Sequence, residues 1–395
     1  MNPRIFFFLL LGVDALLLIS AIPDLSISYH EAQIYFQKTS TIHYLINAST
    51  SIFGQNNHAL RLPMIILHLL SVGLLYAIAK PYIKYERDRL WLVGIYMLLP
   101  GINSVALLVD DAGVILFFAM LYIYLQQRCY KLAYLLLPLL MVIHPSFMFL
   151  YLALTLFAYE SQNRKLFITN TILFILTLLI YGFDVSGAPE GQFLDTLGIY
   201  AIIFSPIVFL YLFYVLYRRT LVGERDSLFY VGTVTFILSL LLSFRQRVDV
   251  AMFAPFLMLT LPLAMQSFFH SYRVRLRMHR TKYRLMFSIA FILLLLNVIS
   301  VFLHKEIYYL LNSPKDHFAF RLHVAEDLAQ ALNKLNLTCI DSSDKQMQLR
   351  LQYYGIGYCT NYKLLPKSDF DTSSNVTIFH RNLILYQASV TKVHD

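Results

Sequence analysis

The stretch IFFFLLLGVDALLLISAI, at residues 5–22, is apolar along its length except at Asp14. A helix needs ~20 such residues to cross the hydrocarbon core of a bilayer. Six further stretches have the same character: residues 62–79, 166–183, 199–217, 228–244, 251–269 and 285–303. Because a helix satisfies its own backbone hydrogen bonds in lipid, the sequence predicts an all-α, polytopic membrane bundle.

Composition supports this class. The chain is 58% hydrophobic and 14% charged, whereas a soluble domain averages about 25% charged residues. Four less regular crossings complete the bundle: residues 90–108, broken near Pro100-Gly101, residues 112–125, and a short pair, 132–143 and 147–157. Together these stretches predict about eleven transmembrane helices.

The basic residues set the predicted orientation. The net charge is +9, but the charges alternate between loops instead of forming a nucleic-acid-binding patch. With the N-terminus inside, the inner loops carry eighteen Lys and Arg residues and the outer loops before residue 304 carry four. The positive-inside rule then predicts a cytoplasmic N-terminus, with residues 1–22 retained as a signal anchor.

A change in composition at His304 divides the chain into a multi-span domain, residues 1–303, and a small extracytoplasmic α/β domain, residues 304–395. In the second domain the patterns predict helices at 316–335 and 344–354, a strand at 337–341, and a hairpin of 376–379 with 383–386. Cys339 and Cys359 fall on the outer side, where a disulfide and two free thiols are both compatible with the sequence.

Outward-facing ionisable residues gather at the predicted membrane edge, and they are the candidate site: Asp24, His30, Glu31, Asp110, Asp111, His144, Arg245, Arg247 and Asp249. They form either one shared site or a set of independent, wetted loop ends, and composition alone favours the second. Two ionisable residues within predicted spans, Asp14 and His68, are expected to form hydrogen bonds inside the bundle.

Four motifs resemble the GT-C superfamily of membrane glycosyltransferases, in the branch of protein O-mannosyltransferases and lipid A aminoarabinose transferases. They are YHEAQIY at residues 29–35, RLP at 61–63 with YAIAK at 76–80, DDA at 110–112 before LFFAMLY, and RQR at 245–247 before APFL. The order of the motifs and their predicted membrane side strengthen the resemblance, which implies a GT-C-like bundle.

The resemblance also implies roles for individual residues. Such enzymes place an acidic pair in the first outer loop, and here His30 replaces its first member, so Glu31 is the nearest candidate for the catalytic base and Asp24 the second. A general base of this kind contributes ~10²–10⁴ in rate. His30 and Arg61 are then expected to contact substrate.

The remaining candidates have two interpretations each. Arg245 and Arg247 either bind the donor phosphate, which the planar guanidinium suits, or anchor the protein to lipid headgroups. Asp110 and Asp111 are divided between a substrate contact and a cap on the following helix. No pair of His or Cys residues has the spacing of metal ligands, but oxygen ligands leave little trace in a sequence, which leaves room for a divalent cation.

These observations predict a multi-pass protein of the bacterial inner membrane that transfers a sugar from a polyprenyl-phosphate donor to a periplasmic acceptor. The acceptor is a lipid, a glycan or a protein; membrane lipids are expected partners and nucleic acids are not. Two alternatives stay open: a flippase for lipid-linked saccharides, and a non-catalytic member of an envelope-glycan complex, which the change to His30 favours.

Overall fold

The computed structural model describes residues 3–38, 40–182, 191–276, 280–311, 313–317, 319–366, 376–381 and 383–392. It contains two compact units. Unit one comprises Met1–Leu18 and Met64–Val298, and unit two comprises Ile19–Pro63 and Ile299–Asp395. The predicted boundary between residues 303 and 304 stays a prediction.

Helices dominate the described residues, in the following order: α1 Pro3–Ala21, α2 Tyr29–Phe36, α3 Thr41–Phe53, α4 Asn57–Ile78, α5 Glu86–Met97, α6 Pro100–Leu107, α7 Asp111–Arg128, α8 Tyr130–Ile143, α9 Phe147–Glu160, α10 Arg164–Tyr181, α11 Phe193–Phe204, α12 Pro206–Val222, α13 Ser227–Ser243, α14 Ala254–Met258, α15 Leu261–Val274, α16 Arg280–Phe302, α17 Ala325–Lys334 and α18 Lys345–Tyr353. The strands are β1 Asp341–Ser342, β2 Tyr362–Pro366, β3 Val376–His380 and β4 Leu383–Lys392.

The predicted membrane bundle is confirmed. Four helices of the described chain, α1, α4, α10 and α16, are long and apolar enough to cross a bilayer. Two bent pairs, α5 with α6 and α11 with α12, add two more if each pair is one span, and α8, α9 and α13 are shorter apolar helices. The predicted total of eleven spans stays a prediction.

Proline residues break the bundle at three places. The predicted break at Pro100-Gly101 is confirmed, since α5 and α6 meet there at 64°. The prediction of one continuous span over 199–217 is wrong: α11 ends at Phe204 and α12 begins at Pro206, at an angle of 107°. Ser205, between them, has a φ of 66°, and Pro206 cannot donate a helical hydrogen bond.

The span predicted over 251–269 is also interrupted. A 3-10 turn at Val250–Met252 is followed by the short α14 and then by α15. Pro255 and Pro262 each lie in the first turn of a helix, where the missing N–H is tolerated. Irregular backbone at this depth is tolerated where protein or a cavity surrounds it, and this segment lines the cavity described below.

A buried polar pair lies within the apolar core of unit one. Asp14 Oδ2 on α1 is 2.7 Å from His68 Nε2 on α4, and both residues are buried. The His68 ring stacks on the ring of Tyr96, with centroids 6.1 Å apart. The expectation that Asp14 and His68 form hydrogen bonds inside the bundle is therefore confirmed.

The second unit contains a four-stranded sheet in the order β1-β2-β4-β3. β1 and β2 are parallel and the other two pairs are antiparallel. The predicted hairpin is β3 with β4; Asn382, which belonged to its predicted turn, lies outside the described residues. The predicted helix 344–354 is α18, begun by the Asp344 side chain as N-cap. β2 was not predicted.

Other predictions for unit two are corrected. Residues 316–335 do not form one helix: 3-10 turns at Pro314–Asp316 and Phe320–Leu322 precede α17. The strand expected at 337–341 is reduced to β1 and an isolated bridge from Cys339 to Gly357.

Cys339 and Cys359 form a disulfide, which is one of the two arrangements that the sequence left open. The connection after the first span, taken for a loop, contains α2 and α3.

Replacing Asp14 or His68 alone by leucine should lower the free energy of unfolding by about 1–3 kcal/mol, because each change leaves the other polar group buried and unsatisfied. The double variant should recover most of this loss, since both partners are then apolar. The coupling is measured by unfolding four purified proteins in mixed micelles: the unmodified protein, the two single variants and the double variant. Strictly additive losses would contradict an energetic pairing.

Candidate functional site

A cavity of about 630 Å³ opens in unit one beside α6, α7 and α11 and the segment 247–258. Its wall is mainly apolar, with isoleucines of α11 on one side and α6 on another. Its polar members are Ser104, Asp110, Arg247 and Asp249. An apolar pocket with a few convergent polar groups is the usual form of a small-molecule site.

Helix capping holds the two cavity carboxylates. Asp110 is the N-cap of α7, and its Oδ1 accepts a hydrogen bond from the Ala112 amide at 2.9 Å. Asp249 caps the turn Val250–Met252 in the same way, with Oδ1 accepting from the Ala251 amide at 3.1 Å. Each cap uses one carboxylate oxygen, and within the described residues neither carboxylate forms a further hydrogen bond.

The two adjacent aspartates therefore do not separate simply into one helix cap and one substrate contact. Asp110 is the cap, as one interpretation predicted, and yet it also lines the cavity. The Asp111 carboxylate lies in the first turn of α7, and its Oδ2 is 3.9 Å from His144 Nε2. His144 also interacts electrostatically with Asp110 and Asp249. Three acids and one imidazole thus gather at this end of unit one.

The two candidate arginines are placed differently. Both arginines are exposed, but only Arg247 contributes to the described lining of the cavity. Helix α13 ends at Ser243, and an irregular segment then carries Arg247 and Asp249 along the cavity. Asp249 was grouped with the outer charges from the sequence but was given no role. Its signal was its position two residues after Arg247.

Gly101 allows the wall of the cavity to form. A Cβ on Gly101 would lie 2.5 Å from Ile203 Cγ2 and 3.1 Å from the Ile203 carbonyl oxygen. Since these distances are shorter than van der Waals contact and one partner is backbone, α6 can approach α11 closely only with glycine here. Both Gly101 and Ile203 line the cavity.

The remaining candidates lie in unit two, where Glu31 forms a buried ion pair. Its Oε2 is 3.2 Å from Arg61 Nη2, and the residues are 1% and 0% exposed. Arg61 Nη1 also donates to the Leu25 carbonyl at 2.8 Å, and Nη2 donates to the Ser26 carbonyl at 3.0 Å. The guanidinium therefore holds two points of the segment before α2 and one residue in the first turn of α2.

Glu31 also starts α2. The Ser28 hydroxyl accepts from the Glu31 amide at 3.1 Å, and the Ser28 amide donates to Glu31 Oε2 at 2.8 Å. This is a capping box, for which Ser followed three residues later by Glu is a readable signal that the sequence analysis did not use. The role of Glu31 as a base stays a prediction, and that role requires the ion pair between Glu31 and Arg61 to open.

The other two candidates in unit two, Asp24 and His30, are more accessible than Glu31. Asp24 Oδ1 is 2.7 Å from Lys305 Nζ in a partly exposed ion pair, and His30 is exposed. No group of three or more His, Cys, Asp or Glu side chains suited to a metal ion occurs within the described ranges. A divalent cation bound to this protein stays a prediction. Such an ion would need oxygen ligands from a bound molecule.

Comparisons with known proteins agree with this architecture. The model of the dolichyl-phosphate-mannose-protein mannosyltransferase family matches residues 37–184. The crystal structure of ArnT from Cupriavidus metallidurans in the apo state has a similar fold, with a TM-score of 0.54 and 11% identity over 90% of this chain and 86% of that chain. No curated protein matches the chain. The predicted resemblance to GT-C glycosyltransferases is confirmed, together with the GT-C-like fold.

Replacing Gly101 by alanine should reduce ligand binding in the cavity at least tenfold, because the new methyl group pushes α6 away from Ile203. Gly73→Ala, on α4, is the matched control, since a Cβ there meets nothing within 4 Å. Binding of a polyprenyl phosphate to the purified variants, measured by displacement of a labelled lipid, tests the expectation. Equal affinities for the two variants would show that the close approach at Gly101 does not shape the cavity.

Proposed function

We propose that this protein transfers a sugar from a polyprenyl-phosphate donor to an acceptor on the periplasmic side of a bacterial inner membrane. The observation that carries the proposal is the cavity of unit one, which combines an apolar wall with one arginine and two carboxylates. A lipid-linked sugar has the matching parts: a hydrocarbon chain, an anionic phosphate and a polar pyranose. The GT-C-like fold and the partial family match support the same class of reaction.

The proposed chemistry needs few groups. An acceptor hydroxyl attacks the anomeric carbon, the bond from that carbon to the phosphate oxygen breaks, and a carboxylate takes the hydroxyl proton. Negative charge grows on the departing polyprenyl phosphate, and Arg247 would stabilise it through charge-assisted hydrogen bonds. Asp110 and Asp249 would orient the sugar through the oxygens that their caps leave available.

The proton acceptor is proposed to be Glu31, with Asp24 as the second candidate. In its present contacts the Glu31 carboxylate is occupied by Arg61 and by the Ser28 amide. Activity would therefore require the segment before α2 to rearrange when the acceptor binds. A divalent cation between a carboxylate and the donor phosphate is a further proposal, and loss of transfer in EDTA that Mg²⁺ or Mn²⁺ restores would support it.

Arg247→Gln should lower kcat/KM for donor at least tenfold, because a charge-assisted hydrogen bond to phosphate contributes about 1.5–3 kcal/mol. Arg245→Gln is the matched comparison and should stay within about twofold of the unmodified protein. The assay follows release of polyprenyl phosphate from a panel of polyprenyl-phosphate sugars by purified protein with mixed acceptors.

Two results would contradict the proposal. Equal losses in both arginine variants would show that the cavity is not the phosphate site. Movement of labelled donor across liposomes without release of polyprenyl phosphate would identify a flippase instead of a transferase.

Glu31→Gln should reduce kcat by ~10²–10⁴ if Glu31 is the base. Glutamine retains an oxygen that can accept from the Ser28 amide, but it leaves the buried Arg61 guanidinium without a counter-charge, so the melting temperature should fall. Transfer is therefore measured well below the melting temperature of the variant. Asp24→Asn provides the comparison for the second candidate. Full transfer activity in a folded Glu31→Gln protein would remove Glu31 from the chemistry and leave it a structural residue.

A further inference from the structure

A second cavity, of about 320 Å³, lies in unit two between the start of α18 and the sheet. Phe320 and Tyr386 supply aromatic walls, and Ser342 and Gln346 supply uncharged polar groups. None of the proposed transfer chemistry uses this cavity. Its volume is at the lower end for ligand sites, and it suits one monosaccharide.

Arg350 on α18 lines the cavity and is only 4% exposed. A guanidinium has five N–H donors. Here Nη1 donates to the Arg321 carbonyl, Nη2 meets only the Met347 sulfur at 3.4 Å, and Nε has no hydrogen-bond partner. Within the described ranges Arg350 forms no ion pair with a carboxylate. This arginine is therefore buried with most of its donors poorly used.

The charges around Arg350 leave the cavity positive. Asp344 also lines the cavity and attracts the guanidinium, but it forms no ion pair with Arg350 within the described ranges, and its Oδ1 caps α18. The Arg321 guanidinium, which also lines the cavity, opposes it. Burial lowers the pKa of Arg350 below its usual value. Two arginines and one carboxylate thus line the cavity. Because a buried charge without a close partner is strongly unfavourable, the site favours a further anionic group.

We propose that this cavity binds an anionic sugar, a pyranose carrying a carboxylate or a phosphate, through a charge-assisted hydrogen bond from Arg350 Nη2. A guanidinium suits both anions. Phe320 and Tyr386 would lie against the apolar face of the ring, and Ser342 and Gln346 would bind its hydroxyl groups. The binding site is inferred independently of the proposed function. The further step, that this sugar is the acceptor of the transfer reaction, rests on the proposed function.

Calorimetry on the full-length protein in detergent tests the proposal. The ligands are glucuronic acid, glucose 6-phosphate, glucose and inorganic phosphate. We expect at least one anionic sugar to bind at least tenfold more tightly than glucose and than inorganic phosphate. The preferred member of the pair identifies the anion. These measurements need neither donor nor turnover, so their failure is distinguishable from failure of the transfer assay.

Arg350→Met should weaken binding of the anionic sugar at least tenfold, while the melting temperature of the ligand-free protein stays equal or rises. The reason is that replacing an unpaired buried charge by an apolar group of similar volume is neutral or stabilising. If Arg350 had a structural role instead, its loss would lower the melting temperature. Arg350→Lys retains the charge without the planar fork and should bind with intermediate affinity. Arg381→Gln, which removes an exposed arginine paired with Glu306, should bind within twofold of the unmodified protein.

Several outcomes would overturn the proposal. They are the absence of binding by both anionic sugars, equal binding of glucose or inorganic phosphate, unchanged affinity in Arg350→Met, and a lower melting temperature of that variant. Asp369 and Asp371 lie outside the described residues. If the variant with both changed to asparagine binds the anionic sugar more tightly, the chain itself supplies the counter-charge, and the proposal fails.

Discussion

The buried guanidinium of Arg61 is the interaction on which unit two depends. It bonds to two backbone carbonyls, those of Leu25 and Ser26, and to the carboxylate of Glu31. Removing both charges from water costs several kcal/mol per ion, and only close geometry with further hydrogen bonds offsets that cost. Here Glu31 has a second bond from the Ser28 amide, whereas Arg61 Nε has no hydrogen-bond partner among the described residues.

This pair explains why residues 23–61 are not an ordinary loop. With the segment before α2 fixed, α2 packs against α18, where the rings of Tyr35 and Tyr353 lie 5.0 Å apart. The Ile27 amide donates to the Tyr354 hydroxyl at 2.8 Å, and Asn57 Nδ2 donates to Glu326 at 2.6 Å. Hydrogen bonds between residues some 300 positions apart thus join the first connection and the C-terminal residues in one unit.

In unit one, interrupted helices supply the polar groups of the candidate site. Asp110 and Asp249 lie at helix starts, where their side chains satisfy exposed backbone amides. The breaks at Pro100 and Pro206 bring α6 and α11 to the same cavity. The breaks therefore allow charged groups and an apolar wall to meet.

Local patterns were sufficient for much of this fold. Hydropathy determined the membrane class, Pro100-Gly101 marked one bend, and periodicity identified α18 and the β3–β4 hairpin, because each signal lies within a few consecutive residues. The candidate site was predictable only as a set of outward charges. Nothing local separates Arg247, which lines the cavity, from Arg245, which does not.

Tertiary structure decided the remaining features. It paired Arg61 with Glu31, Asp14 with His68 and Cys339 with Cys359, and it left Arg350 buried without an ion pair to a carboxylate among the described residues. It also placed Asp249 beside Asp110 at one cavity. The physical reason is that the energy of a buried charge or a polar group depends on its partner. That partner lies tens of residues away and is chosen by packing, whereas hydropathy and periodicity describe only neighbours in sequence.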